Sequence, residues 1–185
     1  ATNGTGTGMW STASAATIDA PASAGSTVSN LVPGSCYTFT WTVVDGTCTA
    51  TDEIEICVDE MPVATAGADQ QICATSTSLN GNTPAVGTGV WTLTTGSGAV
   101  FNPSDPTTGV SGLVAGQTYE FTWTVVNGTC TATDAVLIVV DAEPLAVSAG
   151  DDQQLCDVTD ATLAAANTTG TGMWSTISAA TITDP

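Results

Sequence analysis

The side chains of this sequence that can do chemistry are carboxylates and thiols. The chain has 18 Asp and Glu and six Cys, but no Lys, Arg or His. General-base and oxyanion-stabilising roles would therefore fall to carboxylates, thiols and backbone amides alone. Carboxylates are paired at Asp52-Glu53 and Asp151-Asp152, but neighbouring strand residues point to opposite faces and do not converge. We therefore expect no catalytic site and no enzymatic activity.

The cysteines are expected to form disulfides rather than a zinc site, because the sequence has no CxxC pair and no His. Disulfides persist in oxidising compartments, so we expect an extracellular location. No apolar run is long enough to cross a bilayer, and no membrane insertion is expected. The sequence opens at Ala1 without an initiator Met, as expected for an excerpt or a processed piece of an exported protein.

The formal net charge of −18 excludes whole classes of partner. Nucleic acids and anionic membranes attract Lys and Arg, and a uniformly negative surface repels both. The missing cations also mean that no salt bridge to a basic side chain can form within the chain. Each carboxylate must therefore be solvated, protonated, hydrogen-bonded or bound to a metal.

Acidic side chains gather around the segments that contain Pro62 and Pro144. Calcium binds carboxylate oxygens, and a cation there would stiffen the segments and relieve repulsion. No DxDxDG loop is present, and exposed linkers are polar in any case, so we assign no cofactor. The candidate calcium ligands are Asp59, Glu60, Asp69, Asp141, Glu143, Asp151 and Asp152.

The sequence repeats itself with a period of roughly 80 residues. "LVPGSCYTFTWTVVDGTCTATD" from Leu31 returns as "LVAGQTYEFTWTVVNGTCTATD" from Leu113, and "AGADQQIC" from Ala66 returns as "AGDDQQLC" from Ala149. The repeat predicts three domains: a partial repeat over 1–61 (its C-terminal part), a complete one over 62–143, and a partial one over 144–185 (its N-terminal part).

The first and third repeats are the more similar pair. The segment 1–21 matches the segment 165–185 at 16 of 21 positions. The spacing between these two segments is twice the repeat period, which suggests that a two-repeat unit recurs along a longer array.

The hydrophobic pattern of the complete repeat is typical of β-strands. Tyr119, Phe121, Trp123 and Val125 alternate with polar residues. Asn127-Gly128 predicts a tight turn, and the apolar run 135–140 predicts the returning strand of a hairpin. Shorter strands are expected near 76–80, 89–94, 99–102 and 107–113, and we see no amphipathic helix. The sequence therefore predicts an all-β fold of tandem β-sandwich repeats.

A domain of about 80 residues is marginally stable, so a covalent staple is expected. We predict a bond between Cys73 and Cys130, which would close a loop of about 57 residues and contribute about 4 kcal/mol. By the same rule, Cys48 and Cys156 would pair outside this segment or with a neighbouring chain. Cys36 and Cys57 share the outward face of the first hairpin, where parity permits a cross-strand bond.

The segments "AGADQQIC", "GTGVWTLTTGSGAVFNP" and "GLVAGQTYEFTWTVVNGTCTATD" resemble the PKD-like, immunoglobulin-like repeats of giant surface proteins and gliding adhesins of Bacteroidota. The resemblance covers the whole chain. It implies an extracellular, cell-surface β-sandwich array, exported by the type IX system, that acts as a stalk or adhesive fibre in adhesion or gliding. The partners it implies are the neighbouring repeats of the same fibre, with a surface polysaccharide as a further candidate.

Three classes of function stay open at this point. The first is a structural repeat of an extracellular fibre or giant adhesin. The second is a filament subunit whose truncated domain is completed by its neighbour, although complementary ends should tile, whereas here the segment 1–21 is duplicated at 165–185. The third is a carbohydrate-binding module that uses tryptophans such as Trp91 as platforms, although their fixed place in each repeat suits core packing better.

Overall fold

The computed structural model describes residues 6–143, 146–166 and 170–183. These residues form eleven β-strands and no helix, so none of them supplies a helix that could span a bilayer. The predicted fold class, an all-β chain of sandwich repeats stapled by a disulfide, is confirmed. The strands are β1 (Thr7–Ser11), β2 (Thr17–Ile18), β3 (Val28–Ser29), β4 (Ser35–Asp45), β5 (Cys48–Val58), β6 (Gln70–Ile72), β7 (Ser76–Ser78), β8 (Thr88–Thr95), β9 (Gly109–Ser111), β10 (Thr118–Asn127) and β11 (Cys130–Val140).

Strands β6 to β11 form a sandwich of two sheets. The larger sheet has the order β6-β11-β10-β8, and the smaller one pairs β7 with β9. β10 runs antiparallel to β11 and β8, whereas β6 runs parallel to the last residues of β11. Val110 of β9 and Leu79, next to β7, are buried in the same cluster as the inward side chains of β10. The two sheets therefore enclose one hydrophobic core.

Apolar and polar residues alternate along β10, which explains why this segment is a strand with one buried face. Tyr119, Phe121, Trp123 and Val125 are each at most 2% exposed, and they point into the core. The residues between them are Glu and Thr, which keep more contact with solvent. Successive side chains of a strand point to opposite faces, so a period of two fixes which face is buried.

The turn between β10 and β11 lies one residue later than predicted. Asn127 is paired with Cys130, so the two turn residues are Gly128 and Thr129. Gly128 has a φ of 56°, and Thr129 is not among the residues with positive φ. Glycine with positive φ at the first central position is the pattern of a type II′ turn. Asn127 is left as the last strand residue, with its amide side chain available for another contact.

The shorter predicted strands differ in how fully they form. β7, β8 and β9 occupy the predicted segments near 76–80, 89–94 and 107–113. The segment 99–102 contributes only an isolated bridge between Val100 and Ser111.

Strands β1 to β5 form a second unit with the same hairpin but a more open core. The sheet order is β1-β4-β5, with Trp10 opposite Trp41. Ile54 on β5 is 49% exposed, whereas its counterpart Val136 in the complete repeat is 1% exposed. Leu79 belongs to the core around Val136 in the complete repeat, and its counterpart in the first repeat lies outside this sequence.

The last part of the chain contains less regular structure. Residues 146–166 and 170–183 form one bridge, between Ser148 and Ala166, and no strand. The segment 171–175 repeats the sequence of β1, which pairs with β4. The sequence given contains no counterpart of β4 after the segment 171–175. The predicted linker residue Pro144 lies outside the described residues, and the domain boundaries at 61/62 and 143/144 stay predictions.

Candidate functional site: the junction between repeats

Cys36 and Cys57 form a disulfide between β4 and β5. The two residues are directly opposite each other in the register of the hairpin, with Cα atoms 4.0 Å apart. Both side chains lie on the exposed face, while Tyr37 and Phe39 face the core. The sulfur bridge therefore closes the hairpin at the end where β4 begins and β5 ends.

The structure does not form the predicted bond between Cys73 and Cys130, and both residues carry free thiols. Cys130 begins β11, whereas Cys73 follows β6, which runs beside the last three residues of β11. About ten extended residues separate the two positions, or on the order of 30 Å. A disulfide requires Cα atoms within roughly 7 Å. The parallel position of β6 is the reason that the sequence-based pairing fails.

Cys48 and Cys156 also carry free thiols, and both are exposed. Cys48 occupies the place in the first hairpin that Cys130 occupies in the second. Cys156 repeats Cys73 in the third repeat. Their pairing with cysteines elsewhere stays a prediction.

Asp59, one residue after β5, contacts the turn between β10 and β11 of the next repeat. Its Oδ2 atom accepts a hydrogen bond from the backbone N–H of Thr129 at 2.6 Å and another from the Thr129 hydroxyl at 2.9 Å. Asn127 Nδ2 donates to the backbone carbonyl of Glu60 at 2.8 Å. The Cys130 thiol donates to the backbone carbonyl of Asp59 at 3.8 Å. We call this set of contacts, between residues 59–60 and residues 127–130, the junction.

Gly128 is required for the junction in two ways. A Cβ atom at this position would collide with the Asp59 carboxylate. The residue also has a positive φ, which side-chain-bearing residues adopt only at a cost. The turn can therefore approach the linker closely only with glycine at this position.

The Asp59 carboxylate is stabilised in its charged form by neutral donors. The Thr129 backbone N–H and then the Thr129 hydroxyl lower the pKa of Asp59 below its usual value. Because the chain contains no basic side chain, hydrogen bonds are the means by which the protein itself can hold this negative charge.

The other predicted calcium ligands are spread over separate positions. Asp69 Oδ1 accepts from the backbone N–H of Leu137 at 2.9 Å. The Asp141 carboxylate accepts from Gln71 Nε2 at 2.9 Å. Asp59 and Asp141 are half-buried, and the exposed members of the set are Glu60, Asp69, Glu143, Asp151 and Asp152.

No three of the seven candidates come together in the described parts of the chain. The one convergent group of Cys, Asp and Glu side chains there is Cys36, Glu55 and Cys57, and its two sulfurs are already bonded to each other. Calcium binding stays a prediction that the geometry does not favour.

The tryptophans proposed as sugar platforms lie mostly inside the sandwiches. Trp91 and Trp123 are 2% and 0% exposed, with ring centroids 5.0 Å apart. Trp91 Nε1 donates to the carbonyl of Pro106 at 3.1 Å. Trp10 and Trp41 repeat the same pair, also at 5.0 Å. The Trp91 ring is buried, so it has no exposed face on which a sugar could stack.

Sequence reasoning singled out the acidic residues at the linker but missed Thr129 as their partner. The signal was present in the repeat itself. The turn and the residues after it, "GTCTATD", recur letter for letter from Gly46 and from Gly128, although most of these side chains are exposed. An exposed segment repeated without change indicates a contact surface rather than a core.

No family model and no curated protein matches this chain. Solved structures to which it is similar include a chimeric titin Z1Z2-Z1Z2 tandem carrying a GRGDS peptide from fibronectin, at a TM-score of 0.35 and 14% identity, over 58% of this chain and 65% of that one. A chimeric titin Z1Z2 carrying a KLER peptide from decorin has a TM-score of 0.34 and 11% identity, over 74% of this chain and 82% of that one. Human protocadherin-24 EC1-2 has a TM-score of 0.33 and 10% identity, over 74% of this chain and 83% of that one. TM-scores of this size establish nothing about function.

Proposed function

We propose that this chain is a segment of an extracellular stalk, built from tandem β-sandwich repeats, in a fibre or large cell-surface adhesin. The observation that carries the proposal is the pair of hydrogen bonds from Thr129 to Asp59. These bonds join the linker that follows β5 of the first repeat to the turn between β10 and β11 of the next repeat. Consecutive units are thus held end to end through a defined contact, which is what a stalk needs in order to project a distal tip.

The residues of the junction recur with the repeat, which supports an array rather than a single pair. Asp141 follows β11 as Asp59 follows β5, and Gly46-Thr47-Cys48 repeats Gly128-Thr129-Cys130. Asp45 stands where the second repeat has Asn127, so the bond from Asn127 to the linker carbonyl does not recur. Each unit therefore carries an acidic linker at one end and a turn with a backbone donor at the other. Such ends generate a head-to-tail series without any new type of contact.

Charge and covalent chemistry support an extracellular, passive role. The net charge of −18 keeps neighbouring fibres apart, because like-charged surfaces repel. An exposed disulfide, Cys36–Cys57, suits an oxidising exterior. The resemblance to Bacteroidota adhesin repeats adds the finer proposal of type IX export and a role in adhesion or gliding.

An antibody raised against this chain tests the proposal on intact cells of the source organism. We expect staining of the surface without permeabilisation, and a reactive polypeptide far larger than 18.4 kDa in a reducing, denaturing gel. Staining confined to the cytosol would overturn the proposal. Pre-incubation of the antibody with the purified chain is the control for specificity.

A polymerising subunit is the second candidate, and the open core of the first unit is the observation that favours it. A surface hollow of about 150 Å³ there is lined mainly by apolar side chains, including Trp10, Phe39, Ile54 and Ile56. A strand from a neighbouring chain could fill it. The same gel separates the two candidates, because a mature polypeptide of 18.4 kDa that forms filaments would favour the subunit.

A further inference from the structure

We propose that a disulfide crosses each junction, joining the cysteine of the DQxxC segment in one repeat to the Gly-Thr-Cys cysteine in the next. The proposal rests on the tandem array proposed above. It replaces the bond within one repeat that the sequence suggested between Cys73 and Cys130.

Cys130 lies at the junction itself. Its thiol is 3.8 Å from the backbone carbonyl of Asp59, and the turn that carries it is held by Thr129 and Asn127. The residue is half-buried. Its sulfur is therefore directed at the end of the preceding repeat and away from the rest of its own β11.

Cys73 lies at the opposite end of the same repeat, beside the next linker. Ile72, the residue before it, accepts a hydrogen bond from the backbone N–H of Asp141 at 2.8 Å. Gln71 binds the Asp141 carboxylate. Cys73 also lines a surface hollow of about 270 Å³ together with Asp141 and Glu143. The DQxxC cysteine is thus fixed next to the linker that leads out of its repeat.

The repeat brings these two positions together. Asp141 is the counterpart of Asp59 one repeat later in the sequence. When the next turn meets Asp141 as the turn at 127–130 meets Asp59, its cysteine lies against the carbonyl of Asp141. Cys73 flanks the N–H of the same residue. The two cysteines then lie on either side of the same residue, Asp141. This places them within the reach of a disulfide, whose Cβ atoms are separated by about 3.8 Å.

This arrangement accounts for all four cysteines that carry free thiols in the structure. Cys48 and Cys130 face a preceding repeat, and Cys73 and Cys156 face a following one. The partner of each lies in a part of the array that this sequence does not contain. Each junction would then carry a peptide linker and a sulfur bridge, so a single break in the linker would not sever the stalk.

The bond forms by thiol–disulfide exchange. The two cysteine thiols give up two protons and two electrons as their sulfurs join, and a low-molecular-weight disulfide accepts both and is reduced to two thiols. The redox buffer in the tests below is a mixture of oxidised and reduced glutathione with the reduced form in excess, so that thiols without a protein partner are released from mixed disulfides.

The chain by itself provides the first test. After refolding in the glutathione mixture and removal of the buffer, we expect four titratable thiols in the monomer, since Cys36 and Cys57 are bonded and the four others lack partners. Two titratable thiols, with a peptide joining Cys73 to Cys130, would overturn the proposal.

A tandem chain provides the second test. In it, residues 1–185 are followed directly by residues 22–185 of a second copy, which keeps the repeat in register because the segment 165–185 takes the place of the segment 1–21. This fusion also completes the third repeat. Of its twelve cysteines, four form the two Cys36–Cys57 bonds. Oxidation of the purified monomer should lower the number of free thiols from eight to four, joining Cys73 of the first copy to Cys48 of the second, and Cys156 of the first to Cys130 of the second.

Position-specific variants make the assignment unambiguous. Cys73→Ser in the first copy should abolish the peptide that contains Cys73 and Cys48, whereas the same change in the second copy should leave it intact. Because the chain has no Lys or Arg, Glu-specific and Asp-specific proteases are used for the map. Eight free thiols in an oxidised tandem chain with native tryptophan fluorescence would overturn the disulfide. That result would not contradict the proposed stalk function, because surface staining and the mass of the reactive polypeptide test that function separately.

Discussion

Asp59 and Thr129 are far apart in sequence and share two hydrogen bonds, at 2.6 Å and 2.9 Å, between the segment after β5 and the turn that joins β10 to β11. One bond uses the backbone N–H of Thr129 and the other its hydroxyl. Neither bond involves a cation, so the contact suits a chain that lacks basic residues. It is the contact from which we predict how the repeats behave.

Removal of the Thr129 hydroxyl should loosen the junction without disturbing the sandwich. In Thr129→Val the backbone bond to Asp59 remains and the hydroxyl bond is lost, so we expect cleavage by a Glu-specific protease after Glu60 to become several-fold faster. Thr133→Val is the matched control, since Thr133 lies on the adjoining strand β11, away from the turn. Equal rates in the two variants would mean that the hydroxyl bond does not hold the linker.

A methyl group at Gly128 should be far more harmful to the junction than one at the equivalent Gly46. Both glycines have positive φ, at 56° and 63°, so Ala costs about 1–2 kcal/mol of backbone strain at either position. Only at Gly128 does the added Cβ collide with Asp59, because Gly46 has open space around it. Gly128→Ala should therefore accelerate cleavage after Glu60, while Gly46→Ala leaves the rate near that of the wild type. A similar rate in both variants would contradict the close approach.

The junction should weaken in acid. Hydrogen bonds from Thr129 lower the pKa of Asp59 in the folded chain. A carboxyl group whose pKa is depressed on folding adds stability above its unfolded pKa, about 3.9. This stability is lost as the pH falls through the lower, folded value.

The measurement is the difference in melting temperature between the wild type and Asp59→Asn, in which contributions common to both proteins cancel. We expect this difference to be constant from about pH 5 to 7 and to shrink below about pH 4. A difference that grows as the pH falls would contradict the assignment.

Gly89 tests the core of the complete repeat. A Cβ at this position would collide with the ring of Trp123, a fully buried side chain. Overpacking of this kind costs roughly 1–3 kcal/mol, so Gly89→Ala should lower the urea midpoint of the repeat, followed by tryptophan fluorescence. Gly109→Ala is the control, because its Cβ would approach nothing closer than the Thr77 carbonyl at 4.0 Å. If both variants unfold together with the wild type, the packing of Trp123 against β8 is wrong.

Much of the fold could be predicted because it depends on residue patterns within short segments of the sequence. Alternation from Tyr119 to Val125 determines the buried face of β10, and strand parity places Cys36 and Cys57 on one face of the first hairpin. The turn was predicted one residue early, since Asn-Gly is a strong turn signal by itself. In the structure Asn127 ends the strand and its side chain binds Glu60. A tertiary contact thus accompanies the shift of the turn.

The site could be predicted only in part, because it depends on how distant segments meet. Three residues of β6 pair in parallel with the end of β11, and this short pairing places Cys73 far from Cys130. No local pattern indicates it. The acidic linker residues were noticed, but as calcium ligands. The partner of Asp59 is Thr129, a neutral donor in another repeat. The one signal of this contact in the sequence is that the segment from Gly128 recurs without change from Gly46.

Force–extension measurement on single molecules of the tandem chain, under reducing conditions, tests the stalk most directly. The tandem chain contains three complete repeats, and each should unfold as a separate unit of about 80 residues. We predict three evenly spaced ruptures, each releasing roughly 26–29 nm of chain at about 3.3–3.6 Å per residue. A single large rupture, or lengthening without discrete steps, would contradict the claim that the repeats are independent mechanical units joined end to end.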